Sequence, residues 1–155
     1  MTDHGTPSLI VRIPTPVWLL GLIVAALLID VPLQLPAVAQ HRPAGIVLLV
    51  AGLLCSVWAA VTFRRHKAEI RPSSSTHPAF VTDGPFRLSR NPMYLGSLGV
   101  AVGAALLAGT WLMWLVPVVL FALQNFAIIP FEERSMRRTF GDAYDAYSQR
   151  VRRWI

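Results

Sequence analysis

Charge and sulfur are both scarce in this chain. A single cysteine, Cys55, occurs among 155 residues, so no intrachain disulfide can staple the fold. It sits inside an apolar run and reads as a small packed hydrophobe. Charged residues make up 14% of the chain against 54% hydrophobic ones, which is too apolar for a soluble domain of this length. The commoner nucleotide and metal signatures are missing too: no GxGxxG opening a strand-turn-helix, no Walker-type lysine loop and no zincin-like His-Glu helix. His66 and His77 lack a ligand-spaced partner, so no metal is expected.

What is present is a series of long apolar runs. The first, Val17 to Leu35, follows Pro14 and Pro16. It is long enough to cross a hydrocarbon core of about 30 Å at about 1.5 Å per residue. Asp30 and Pro32 interrupt its far end and mark a helix terminus near the interface, with an intramembrane Asp facing the bundle as the functional alternative. Ala37-Val38-Ala39 resembles a signal-peptidase site, but the stretch from Asp30 to Ala39 is long for a cleavage region and Arg12 is the one basic flank, so an uncleaved span is preferred.

After the Gln40-His41-Arg42-Pro43 turn, a second helix is expected from Ala44 to Phe63. Arg64 to Asn91 is a polar loop with a Ser73-Ser74-Ser75 tract and a Gly84-Pro85 turn signal. The apolar pattern resumes from Met93 to Ala108, turns at Gly109-Thr110 and returns from Trp111 to Ile129, a tight helical hairpin. Gly96, Gly99 and Gly103 fall near one face of its first arm, and Gly99 and Gly103 form a GxxxG pair suited to close helix approach rather than to a ligand. Beyond Pro130 the chain is polar and helix-like, with Phe131, Met136, Phe140, Tyr144 and Tyr147 spaced as the apolar side of an interfacial helix. The expected fold is therefore an all-α integral membrane protein, one domain over 1–155, with four transmembrane helices and a C-terminal interfacial helix.

Fourteen Lys and Arg against eight Asp and Glu give a formal charge of +6. Of the fourteen, twelve lie between Arg64 and Arg90 or between Arg134 and Arg153, so both segments belong inside, in contact with anionic headgroups. Nucleic acid is not needed to explain the charge. An even number of crossings separates the two segments, and two more put the amino terminus inside as well.

Two polar clusters thus share one membrane face: VTDGPFRLSRNPMYLG, from Val81 to Gly96, and the Glu132-Glu133 pair with its basic tail. The chain here resembles the superfamily of isoprenylcysteine carboxyl methyltransferases and phospholipid N-methyltransferases, small integral membrane enzymes. The resemblance rests on GPFRLSRNPMYLG at Gly84 to Gly96, on EER at Glu132 to Arg134, and on FGDAYDAYSQRVRRW from Phe140 to Trp154, in that order. It covers residues 58–155, leaving 1–57 as poorly matched spans. It implies a non-Rossmann pocket for S-adenosylmethionine, with Gly84, Arg90, Asn91, Pro92, Tyr94, Glu132 and Glu133 as cofactor-binding candidates. It also implies a bacterial cytoplasmic-membrane enzyme with a lipophilic small-molecule or lipidated acceptor. Asn91 stands where the eukaryotic carboxyl methyltransferases usually carry histidine, so the motif does not fix a prenylated cysteine as that acceptor.

Physical roles stand beside the resemblance. Methyl transfer from a sulfonium is an in-line displacement, for which positioning dominates. Asn91 offers amide donors and a carbonyl acceptor, Pro92 fixes the start of the hairpin, and Tyr94 brings an aromatic face and a hydroxyl. The plainer readings are an interfacial anchor for Tyr94 and a headgroup contact for Arg90. For Glu132 and Glu133 they are a helix start after Pro130 and an ion pair of Glu133 with Arg137 at four-residue spacing. Neither the nucleophile, a catalytic base nor the oligomeric state is legible. Two other functions remain open: a non-catalytic module binding anionic lipid or a partner protein, and a membrane reductase akin to sterol reductases.

Overall fold

The computed structural model describes residues 9–33, 36–38, 40–69 and 80–155. Leu35, Ala39, the Ser73-Ser75 tract and His77 lie outside them. Seven α-helices follow one another in the described residues: α1 (Leu9–Arg12), α2 (Thr15–Leu33), α3 (Arg42–Glu69), α4 (Pro92–Ala108), α5 (Trp111–Leu123), α6 (Ile129–Phe140) and α7 (Asp142–Arg150). Among the described residues there is no strand, only an isolated bridge between Ala37 and Thr110.

Three helical stretches are long and apolar enough to cross a membrane: Thr15–Leu33, Arg42–His66 and the continuous run Trp111–Phe140. The helix Pro92–Ala108 is apolar but shorter, 17 residues. Its ends follow from local chemistry. Pro92 occupies the first helical turn, where its missing N–H costs nothing, and Gly109 closes the helix in the left-handed region at φ 65. Thr110 then opens α5 by accepting a hydrogen bond from the Met113 amide at 3.4 Å.

α3 and α4 pack backbone to backbone. A Cβ on Gly52 would lie 2.5 Å from the Gly96 carbonyl oxygen, and one on Gly103 would lie 2.6 Å from the Leu49 amide nitrogen. Lipid tails are as apolar as leucine, so such helices associate through close packing rather than through burial from water, and small residues permit it. The glycines singled out on α4 thus meet α3, with Gly45 and Gly52 as their counterparts. A separate layer forms where α2 crosses α4 and α5, around Ala26, Ala101, Ala105, Met113, Val116 and Leu120. The outward faces of α2 and α3, including Leu28, Val31, Val47 and Leu54, are exposed and apolar, as a lipid-facing surface requires.

α5 does not stop where the sequence turns polar. At Gln124–Ile128 the helix widens by one residue, the Ile129 amide bonding the Gln124 carbonyl five residues back, and it then continues as α6 through Pro130. A proline cannot donate to the carbonyl four residues behind it, and a widened turn placed just ahead lets the helix absorb the ring. Consequently Glu132 and Glu133 lie within a continuous helix rather than at the start of a new one, and the helix-start reading falls. The break comes later, at Gly141 with φ 50, and α7 folds back from it.

Antiparallel helices bring both polar segments to one end. There the loop before α4, the start of α2 and all of α6 and α7 converge, while the turn at Gly109-Thr110 and residues 36–38 and 40–41 meet at the other.

Candidate functional site

The loop before α4 is built by a single tight turn over Gly84–Arg87, which seats Phe86 beneath it against Ala59, Val81 and Phe63. Gly84 adopts φ 58, and a Cβ there would press on Thr62 and Trp58 of α3. Its place is a backbone turn against α3, away from the cavities described next.

Two adjoining cavities open behind the loop. One of about 90 Å³ runs under the aromatic side chains Phe80, Phe140, Tyr144 and Tyr147. The other, of about 270 Å³, reaches Pro92, Met93 and Tyr94. Arg90, Asn91 and Glu132 line both, and Glu133 lines the first. Six of the seven residues singled out in the sequence are therefore brought together, and Gly84 is not. Met136, Phe140, Tyr144 and Tyr147, expected on the apolar side of a surface helix, face these cavities, and Phe80 stacks on Phe140 with ring centroids 5.0 Å apart.

The two glutamates have different partners. Glu133 is held by Arg153 through two bonds of 3.2 and 2.6 Å, and by Arg90 at 3.2 Å. Its side chain is 12% exposed and that of Arg90 13%, so this is a partly desolvated three-membered charge cluster. The expected pair with Arg137 does not form, because Arg137 turns outward to Asp145 at 3.0 Å. Glu132 instead accepts a hydrogen bond from the Tyr94 hydroxyl at 2.6 Å, and it has no ion pair among the described residues.

Asn91 stands at the N-cap of α4 without capping it. Its Nδ2 donates to the Arg153 carbonyl at 3.0 Å, and its backbone amide donates to Ser89 Oγ at 3.0 Å. Below Tyr94, Ser97 Oγ donates to the Tyr94 carbonyl and accepts from the fully buried Gln124 at 2.8 Å. Arg90 Nε is buried with no hydrogen-bond partner among the described residues. Burial pushes the Tyr147 phenol up to about 12, keeping it a donor to the Phe86 carbonyl at 2.6 Å. Tyr144 is also raised, first by burial and then by Glu133, against the opposing pull of Arg90 and Arg137.

On the far side of Tyr94 lies a third space, an apolar groove of about 500 Å³ between α2, α3 and α4. Thr15, Leu19, Leu53, Val57 and Ala60 form its sides, and Met93 and Tyr94 are common to it and the 270 Å³ cavity.

The sequence profile of the phospholipid methyltransferase family matches residues 41–143. The chain belongs to that family. A protein of Arabidopsis thaliana named protein-S-isoprenylcysteine O-methyltransferase B is 30% identical over 128 residues, covering 75% of this chain and 61% of the plant protein. The chain thus spans about three-fifths of that relative's length. A Haemophilus influenzae protein described as uncharacterized is 36% identical over 63 residues, 41% of this chain and all of its own length. No solved structure matches significantly. A member of the phospholipid methyltransferase family with three helices of membrane length is an integral membrane protein.

Several residues of the site were not singled out beforehand: Ser89, Asn125, Arg153 and Trp154. The tail that contains the last two was legible as family-like, but its arginines read as topology charges. Nothing local in the sequence announces that Arg153 meets a carboxylate 20 residues earlier.

Proposed function

We propose that this chain is an S-adenosylmethionine-dependent methyltransferase whose methyl donor occupies the joined cavities at the polar end and whose acceptor is a lipophilic molecule in the apolar groove. The observation that carries the reading is the pair of shared walls. Arg90, Asn91 and Glu132 line both cavities at the polar end, and Tyr94, bonded to Glu132, stands between the larger of them and the groove.

The residues present suit a ligand that is cationic and rich in N–H groups. Among the described residues Glu132 is a carboxylate without a cationic partner and Asn91 Oδ1 an acceptor without a donor, and the aromatic wall is suited to a flat ring or a sulfonium. When bound, the donor supplies a methyl carbon that moves to the acceptor's lone pair as the carbon–sulfur electron pair returns to sulfur. The chain's own task is alignment: Tyr94 and Met93 bound the junction at which the two reactants meet, and the apolar helices keep bulk water from it.

Four crossings with both ends and the loop before α4 in the cytoplasm fit this reading. Twelve basic residues then lie inside, and the soluble donor reaches the polar end from the cytosol. At about 1.5 Å per residue, the 17 residues of α4 span about 25 Å, short of a core of about 30 Å, so this crossing requires the bilayer to thin locally or the Pro92 end to lie below the headgroups.

The test is calorimetric titration of the detergent-purified chain with S-adenosylhomocysteine, followed by incubation with methyl-labelled S-adenosylmethionine and a lipid extract. Saturable binding and label in the organic phase support the reading. Absence of binding, with adhesion to anionic vesicles alone, would favour the lipid-binding module, and binding of a nicotinamide cofactor would favour a reductase.

A further inference from the structure

Beyond α7 the chain forms a strap across the polar end. Val151 is extended, at φ −117 and ψ 128, and the residues after it run back along the loop that precedes α4. The Arg90 amide donates to the Arg152 carbonyl at 3.0 Å. The Arg153 carbonyl accepts from Asn91 Nδ2 at 3.0 Å and from Ser89 Oγ at 3.3 Å. On the other side of the strap the Arg153 guanidinium holds Glu133 and lies 3.5 Å from Asn125 Oδ1. The Trp154 indole donates to that same oxygen at 3.2 Å, with its ring against Phe121, 5.3 Å between centroids. Arg153 therefore joins the loop, the widened turn and α6.

The direction of these bonds matters for ligand chemistry. A backbone carbonyl only accepts, so the end of the Asn91 amide that meets Arg153 must be the nitrogen. That leaves Oδ1 as the end with no partner among the described residues, on a side chain that lines both cavities. A free asparagine would offer a ligand either end; this one offers an acceptor. The same arginine also neutralises Glu133, so that Glu132 is the carboxylate left for a cationic ligand group.

Resting on the donor-site reading above, we propose that Arg153 is the positioning residue of that site: through the strap it fixes Asn91 as an acceptor of a ligand N–H and holds Glu133 away from the ligand. It acts through these two side chains.

The test uses full-length protein in nanodiscs. With S-adenosylhomocysteine as titrant, Arg153→Gln weakens binding about tenfold, the scale of one lost charge-assisted or ligand hydrogen bond. Arg153→Lys recovers part of it, since an ammonium meets Glu133 without the two parallel bonds of a guanidinium. Hydrogen exchange on ligand-free Arg153→Gln is faster at the Arg90 and Asn91 amides and unchanged along α3 and α4, which separates positioning from general loosening. If Arg153→Gln does not fold, Trp154→Phe serves instead. It keeps a ring against Phe121, drops the bond to Asn125, and weakens binding about threefold with the same local exchange. Unchanged affinity or unchanged exchange at Arg90 overturns the assignment alone. If the unmodified chain does not bind S-adenosylhomocysteine, the donor reading and this assignment fall together.

Discussion

The two halves of this molecule are held together by opposite means. Along α3 and α4 there is almost no side chain between the backbones, and the pair is defined by what is missing at Gly52, Gly96 and Gly103. At the polar end the elements are held by long side chains: Glu133 gripped by two arginines, Tyr147 reaching the Phe86 carbonyl, Asn91 reaching the strap. The first arrangement tolerates no added atom and is indifferent to pH. The second tolerates changes of shape and is sensitive to charge.

The largest effect should come from filling the glycine seam. Gly103→Val places atoms against the Leu49 amide and the Gly45 carbonyl, which are backbone and cannot rotate aside, so a loss above about 3 kcal/mol is expected. Thermal unfolding in micelles reads it. Gly21→Val, on α2 where nothing lies within 4 Å, is the control and should leave the midpoint nearly unchanged.

Next comes the charge cluster. Glu133→Gln leaves Arg90 and Arg153 facing a neutral amide. A fully buried pair would lose about 3 to 5 kcal/mol, which the partial solvation of Arg153 reduces to about 2 to 3. Glu132→Gln keeps a carbonyl for the Tyr94 hydroxyl and should leave ligand-free unfolding unchanged while weakening S-adenosylhomocysteine binding. Equal melting of the two variants would erase the distinction drawn between the glutamates.

Tyr94→Ala should lower S-adenosylhomocysteine affinity about tenfold, or about 1.4 kcal/mol. Trp18→Ala, which removes an indole bonded to the Ile10 carbonyl, should not. Titration of both variants side by side decides whether the cavity junction takes part in binding.

A further effect is alkaline. Tyr147 is pushed from the ordinary phenol value of 10.0 up to about 12, so its folded state favours the neutral phenol. Stability from this group is complete below pH 10 and lost as pH rises toward 12. Tyr147→Phe should be slightly less stable at neutral pH, and its stability should fall less between those values.

The glycine half was largely legible in the sequence, because its signals are local. Pro92 and Gly109 bracket α4 by their own backbone preferences, and a GxxxG pair announces a contact whatever the partner. The polar half was legible as a set of residues and illegible as a set of bonds. Arg90, Asn91, Tyr94 and Glu132 meet as their motifs implied, yet Glu133 passes over Arg137, one turn away, for Arg90 and Arg153. A four-residue spacing on an exposed helix face is worth only about 0.3 to 0.5 kcal/mol, so tertiary partners override it easily. Pro130 misled for a related reason: a proline predicts a break in an ordinary helix, and the widened turn at Gln124 to Ile128 removes the clash that would cause one.

At the end of the bundle remote from the site, Val38 donates to the Gly109 carbonyl at 2.6 Å, His41 to that of Leu106 at 3.3 Å, and Gln40 to that of Ala108 at 3.0 Å. This clasp ties the connection between α2 and α3 to the tip of the α4–α5 hairpin. α2 is held at its other end too, by Trp18 and Leu19 packed against the core between α4 and α5 and by α1 against the widened turn, so the groove wall is braced at both ends, as a bridge deck is by its piers.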